Sequence, residues 1–215
     1  MKYVEYNLNG MSNYGFLSSK FSESELEPIK TEINNIRKNF DLYEKQKHNN
    51  YLVGNIRREY RLVESKKYIE ELMMPFVHAY NKDFDYMKNF NILSDGVPIA
   101  LSDAWVNIQE KNEFNPIHRH DGIFSFVIWI NVPYDIENEI KSGPGVESPH
   151  NCAGMFNFQY INTLGHIQTY EIPIDKSMEN SIILFPSSFN HCVYPFFSSD
   201  GYRISVSGNF KLKIN

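Results

Sequence analysis

The sequence predicts an α+β chain in which helices come first and an antiparallel β-sandwich or barrel follows. Two patterns carry that expectation: apolar residues recur at helical spacing early in the chain, and from Ile99 onward short apolar runs are bounded by turn residues. A third observation excludes disorder as the main description, because 42% of the 215 residues are hydrophobic, with 16 Phe and 14 Tyr among them. That length is also enough to bury a sizeable core.

After a short start with room for one edge strand, Ser22-Glu23-Ser24-Glu25 offers capping-box residues ahead of Leu26, Ile29, Ile33, Ile36 and Phe40. The spacing predicts a helix near 24–40. Pro28 is best tolerated in a first turn, which favours Ser24 over Ser22 as the cap. A polar stretch, Asp41 to Asn50, then precedes YLVGNIRREYRLV. A second helical pattern runs through Tyr68, Leu72, Met73, Phe76 and Tyr80 until Gly96-Val97-Pro98 breaks it, with a kink expected at Pro75. Residues 1–95 therefore read as mainly helical, with Lys66-Lys67 and Glu70-Glu71 on solvated faces.

Seven runs of strand rhythm follow: ALSDAWVNIQ, IFSFVIWINVP, AGMFNFQYI, IQTYEIPI, NSIILFP, HCVYPF and YRISVSGNFKL. Residues 96–215 are thus the β core of a single domain spanning 1–215, and the N-terminal helices are expected to pack on one outer face of the sheet. The segment DIENEIKSGPGVESPHN, rich in acids and turn residues, reads as a loop. Residues 135–152 could serve as a lid over the mouth of the barrel or be a plain surface insertion.

Charge and cysteine content narrow the function classes. Lys and Arg number 21 against 26 Asp and Glu, a net charge of −5, which argues against nucleic acid and anionic membranes as partners. The absence of a run of about 20 apolar residues and of a signal-peptide start makes the cytoplasm the expected location. The abundance of Asn, Lys and Ile is that of an AT-rich genome, and a phage-encoded protein acting in a host cytoplasm fits it. Two cysteines, Cys152 and Cys192, without CxxC spacing, read as reduced thiols.

The sharpest local feature is NPIHRHDG, residues 115–122, just before the most hydrophobic strand. In extended chain His118 and His120 project to one face, so their imidazoles converge. A third partner is needed before a metal is implied, and His191, after the LFP turn at 184–186, is the distant candidate. Asp121 competes with His120 as the third ligand, since a bulge at Asp121-Gly122 would re-aim the chain. In the last strand, Arg203, Ser205 and Ser207 share one face, with Ile204 and Val206 on the other. A guanidinium inside an otherwise apolar strand calls for an anionic partner, either a ligand carboxylate or an internal Asp or Glu. His48, His78, His150 and His166 lack strand-spaced partners and read as surface or hydrogen-bonded histidines, while Trp105 and Trp129 read as core.

Together, an HxH pair at the head of a strand, a distal His after an LFP turn, and RxS about a dozen residues on resemble the Fe(II)/2-oxoglutarate-dependent oxygenases of the double-stranded β-helix, or jelly-roll, fold. The likeness is to their prolyl-hydroxylase-like branch in phage and marine bacteria, and the upstream stretch LVGNIRREYRL belongs to it. It covers roughly residues 52–212. Most of that superfamily has HxD, where this chain has His120. The resemblance implies Fe(II) held by His118, His120 and His191, and 2-oxoglutarate chelating the iron with its far carboxylate on Arg203 and Ser205. O2 would be the oxidant, and Asn107 and Tyr160 are candidate wall residues. It also implies hydroxylation of an unactivated C–H in a peptide, protein or small-molecule substrate, with a prolyl side chain as the first expectation. Two rivals remain on the residues alone: a three-His cupin-like metalloenzyme that does not use 2-oxoglutarate, and a non-catalytic jelly-roll binding module.

Overall fold

The computed structural model describes residues 13–90 and 98–213. Among these residues ten strands form two antiparallel sheets. In chain order the elements are β1 (Leu17–Lys20), α1 (Glu23–Lys38), β2 (Glu59–Arg61), α2 (Lys66–Phe84), β3 (Ile99–Gln109), β4 (Asn115–His118), β5 (Phe124–Asn131), α3 (Ile136–Glu139), β6 (Met155–Ile161), β7 (Ile167–Pro173), β8 (Ser181–Pro186), β9 (Asn190–Val193) and β10 (Arg203–Leu212). The larger sheet has the order β1-β8-β5-β10-β3-β2 and the smaller β4-β9-β6-β7. From β3 to β6 and again from β7 to β10 successive strands alternate between the two sheets, which is the jelly-roll pattern, and the α+β class expected from the sequence is what the chain adopts.

The two faces of the larger sheet do different work because side chains alternate along each strand. Val106 and Ile108 of β3, Phe124, Phe126 and Ile128 of β5, and Ile204 and Val206 of β10 pack outward. They meet Ile29, Ile33 and Ile36 of α1 and Ile69, Met73, Val77 and Tyr80 of α2, so the helices lie on one outer face as expected. Val127, Trp129, Ile183 and Phe185 point the other way, against Phe156 and Phe158 of the smaller sheet. The space between the sheets is where the polar residues of β3 and β10 are also aimed.

Several expectations at the N-terminal end need correction. The cap of α1 is Ser22 rather than Ser24: the Glu25 carboxylate accepts from the Ser22 backbone N–H at 2.8 Å and its hydroxyl at 2.6 Å. Pro28 consequently sits in the second turn, where it forfeits only the bond to the Ser24 carbonyl while facing solvent. Helix α2 continues through Pro75 and ends at Phe84, where Asp85 adopts left-handed geometry (φ 48°). The Gly96-Val97 breaker lies outside the described residues. The short start does hold an edge strand, β1, as expected, whereas β2, which forms the other edge of the larger sheet, falls in a part read as mainly helical. No helix among the described residues is long and apolar enough to cross a membrane.

One buried carboxylate ties the helical layer to the sheet. Glu32 of α1, 1% exposed, accepts from the backbone N–H groups of Val63, Glu64 and Ser65 and from the Ser65 hydroxyl, at 2.6–3.0 Å. It thereby fixes the turn between β2 and α2. Removing it leaves buried donors without partners, each costing about 1–3 kcal/mol. Glu32→Ala should therefore lower unfolding stability by roughly 3 kcal/mol or more in chemical denaturation; a loss under about 1 kcal/mol, the scale of one ordinary hydrogen bond, would show that this junction does not hold the layers together.

Candidate active site

The three histidines singled out by sequence meet in one place. His118 closes β4 and lies directly opposite His191 of β9 in the antiparallel register, with ring centroids 4.2 Å apart. His120 follows the strand, its N–H bonded to the Ser187 carbonyl at 2.9 Å, and its ring stands 4.9 Å from His118 and 5.1 Å from His191. One nitrogen from each ring lies within 4.8 Å of the others. Asp121 is exposed at the cavity rim and is not part of this cluster. Beyond it, Gly122 turns the chain into β5 with φ 142°, where a Cβ would stand 2.8 Å from the Phe210 carbonyl. The unusual backbone thus comes after His120, and both imidazoles of the HxH pair keep the same side.

Ring orientation is set by the backbone two residues upstream. His118 Nδ1 lies 2.7 Å from the Pro116 carbonyl and His191 Nδ1 2.9 Å from the Phe189 carbonyl. A carbonyl only accepts, so each Nδ1 carries the hydrogen and each Nε2 presents a lone pair, the arrangement found behind metal-bound imidazoles. Burial holds His118 below the usual imidazole range. It lowers His120 to about 4 and His191 well below its ordinary value, with neighbouring imidazoles adding to the effect on both. Near pH 7 all three are neutral, the ligating form. Aromatic rings of Phe156 and Phe185 pack on His191 and deny it other rotamers. Three neutral, oriented nitrogen donors with no bulky group between them suit a divalent transition metal such as Fe(II).

The same cavity, about 360 Å³, receives the polar face of β10. Arg203, Ser205 and Ser207 line it, as alternation requires. Arg203 is 2% exposed, yet its guanidinium donates only to neutral acceptors: Gln109 Oε1 at 2.9 and 3.1 Å, Tyr134 Oη at 2.6 Å and the Tyr194 carbonyl at 2.7 Å. Among the described residues, the internal Asp or Glu partner that the sequence left open is therefore absent. A buried cation without a counter-ion is costly, and an anion entering the cavity would relieve that cost. Asn107, anchored by the Trp105 indole N–H at 3.2 Å, donates to Ser205 Oγ and Ser207 Oγ, both at 3.2 Å. Ser205 is thereby used as an acceptor, and its own hydroxyl hydrogen remains free to donate.

Other expectations fared unevenly. Asn107 is a wall residue, but Tyr160, on the same face of β6 as Phe156 and Phe158, lies beyond them near the end of the strand, is 41% exposed and does not line the cavity. Trp105 and Trp129 are at once core and cavity wall. Residues 135–152 do not line the cavity. Buried Glu139 instead accepts from the Phe197 and Ser198 N–H groups and so pins that segment to the chain before β10. The wall that sequence reasoning missed comes from residues 48–61. There His48, 4% exposed, pairs with Asp103 at 3.0 Å, and Tyr51 and Val53 stand 74% and 54% exposed at the rim. The only signal for it was the stretch LVGNIRREYRL, which does fall in this wall.

Comparisons with known proteins agree with this geometry. Residues 103–209 match the family described as "Putative 2OG-Fe(II) oxygenase". The structure is similar to that of a Pseudomonas putida prolyl-4-hydroxylase (13% identity, 94% of each chain, TM-score 0.56). It is also similar to EvdMO1 (14% identity, 94% of this chain and 48% of that one, TM-score 0.53). A third likeness is to SnoK, a non-heme alpha-ketoglutarate-dependent carbocyclase from nogalamycin biosynthesis (10% identity, 92% and 79% of the chains, TM-score 0.50). No curated protein sequence matches the chain significantly.

Glu59 of β2, 1% exposed on the cavity wall opposite Asn107, has its carboxyl pushed up to about 8 by burial and then by the Glu113 charge. The folded chain then keeps a proton that the unfolded chain releases from about 4.5 upward, so stability falls as pH rises from about 4.5 to about 8. Glu59→Gln should remove that slope, gaining on the wild type by up to about 1.4 kcal/mol per pH unit across the window. A stability difference independent of pH would show that Glu59 titrates normally.

Proposed function

Because the chain belongs to the 2OG-Fe(II) oxygenase superfamily, an enzyme group that uses Fe(II), 2-oxoglutarate and O2, we propose that His118, His120 and His191 hold the iron and that Arg203 and Ser205 bind 2-oxoglutarate. The observation that carries this reading is the sharing of one cavity by three neutral imidazoles and a buried guanidinium without a counter-ion. Iron held by these residues would supply the coupling of 2-oxoglutarate oxidation to hydroxylation of a C–H bond. The chain's own part is positional. Nδ1–carbonyl bonds fix the rings, the Arg203 charge with its one uncommitted Nη1–H and the Ser205 hydroxyl orient the distal carboxylate, and the apolar rings of Trp129, Phe156 and Phe185 exclude water around the centre. The buried Arg203 favours this reading over a three-His centre that needs no anionic cosubstrate.

For the substrate we propose a peptidyl proline or a similar extended side chain. The exposed Tyr51 and Val53 at the rim offer apolar surface outside the cavity on which a peptide can lie, and the Pseudomonas putida protein of like fold is a prolyl-4-hydroxylase. The test is anaerobic reconstitution with Fe(II), followed by O2-dependent succinate formation with and without proline-containing peptides. Peptide-stimulated succinate with a gain of one oxygen atom on the peptide is the expected result. Succinate formed at the same rate with every peptide and no product would remove the prolyl substrate, and no succinate at all would remove the oxygenase.

Four variants probe the assignments. His118→Ala and His120→Ala should each abolish tight Fe(II) binding in equilibrium dialysis while Asp121→Ala retains it; loss in the Asp121 variant alone would make the site a carboxylate-containing triad. Arg203→Lys keeps the charge but not the planar fork, and should raise the 2-oxoglutarate Kd roughly tenfold, the effect of losing about 1.5 kcal/mol of charge-assisted bonding. An unchanged Kd in that variant would place the cosubstrate elsewhere.

A further inference from the structure

The smaller sheet carries a second group of potential ligands on the face opposite the imidazoles. Phe156, Phe158 and His191 point inward, so their neighbours Asn157 and Cys192 point outward. The register sets Asn157 between Cys192 of β9 and Glu171 of β7, making a row across three strands. The chain entering β6 crosses that row. Asn151 is anchored there, its amide donating to the Ile140 carbonyl at 2.7 Å and its Oδ1 accepting from the Ala153 N–H at 3.0 Å. Its neighbours on either side, His150 and Cys152, both turn toward Glu171.

His150 Nε2 stands 2.7 Å from Glu171 Oε1 and Cys152 Sγ 3.8 Å from the same oxygen, and one donor atom from each of the three lies within 4.8 Å of the others. Bonds of about 2.0–2.3 Å from one tetrahedral ion place ligand atoms roughly 3.3–3.8 Å apart, so small side-chain adjustments close the site. We propose that His150, Cys152 and Glu171 form a second cation site, for a zinc-like divalent ion, separate from the imidazole centre between the sheets.

An exposed His–Glu ion pair accounts for two of these groups and is worth little by itself. It does not account for a thiol at the third vertex. Nor does it explain Asn157, 2% exposed beside the Cys152 sulfur, whose Oδ1 has no hydrogen-bond partner among the described residues. A buried unpartnered acceptor at the base of the cluster fits an ion, or water bound to one, in the fourth position. The donor set of thiolate, imidazole and carboxylate is that of Zn(II) or its spectroscopic substitute Co(II), and does not suit Mg(II) or Ca(II). Bound there, the ion would staple the segment before β6 onto β7.

Cobalt separates the two centres, because only this one contains sulfur. The full chain, reduced, stripped of metal and titrated anaerobically with Co(II), should develop a near-ultraviolet sulfur-to-cobalt charge-transfer band. The band should persist in His118→Ala, which disables the imidazole centre, and disappear in Cys152→Ser with one fewer ion bound and an unchanged circular dichroism spectrum. Glu171→Gln should weaken the band-forming affinity about tenfold or more, as expected for loss of a ligand carboxylate. Absence of the band in the folded wild type, or its survival in Cys152→Ser, would overturn the site whatever the fate of the imidazole centre.

Discussion

The pairing of β4 with β9 is the constraint on which the site depends. It sets His118 directly across from His191, two residues 73 positions apart whose rings then share one small space. A slip of one residue in either strand would send one imidazole to the outer face and bring Ile117 or Cys192 inward. Aromatic packing holds the register: Phe156, Phe158 and Phe185 fill the volume around His191, and each would lose its contacts if β9 moved. The apolar core is therefore also what aims the polar donors, and rigidity at this point is a requirement of the chemistry.

The larger sheet imposes the complementary half. Its outer face is committed to α1 and α2, which bury Ile204 and Val206, and that commitment leaves Arg203, Ser205 and Ser207 no direction but inward. A cation is thus forced into the cavity by apolar packing on the other side of the same strand. Its neutral partners fix the position of the guanidinium without cancelling its charge.

Much of this could be read from the chain because alternation is a local property. HxH and RxS announce their faces from spacing alone, and the seven apolar runs from Ala100 to Leu212 all became strands. What could not be read depended on distant pairing. The three-residue β2 has no rhythm of its own and exists because β3 offers an edge, so the wall containing His48 and Glu59 was invisible in a segment that read as mainly helical. The anchoring of 135–152 was hidden for a similar reason, since the partners of Glu139 lie at Phe197 and Ser198. At the start of α1 the reciprocal Ser22–Glu25 bonds outweigh the cost of Pro28 in the second turn, a balance that residue types alone do not show. Likewise His150 gained a partner only through the register that brings Glu171 beneath it.

The central claim is that one cavity binds a metal through three imidazoles and a dicarboxylate through Arg203. Its most direct test is an anaerobic optical titration of the Fe(II)-loaded protein with 2-oxoglutarate. A 2-oxo acid that chelates the iron produces a visible metal-to-ligand charge-transfer band, which should appear stoichiometrically with the wild-type chain and require both the metal and the 2-oxo group. No such band from a protein shown to hold one Fe(II) in this centre would contradict the account.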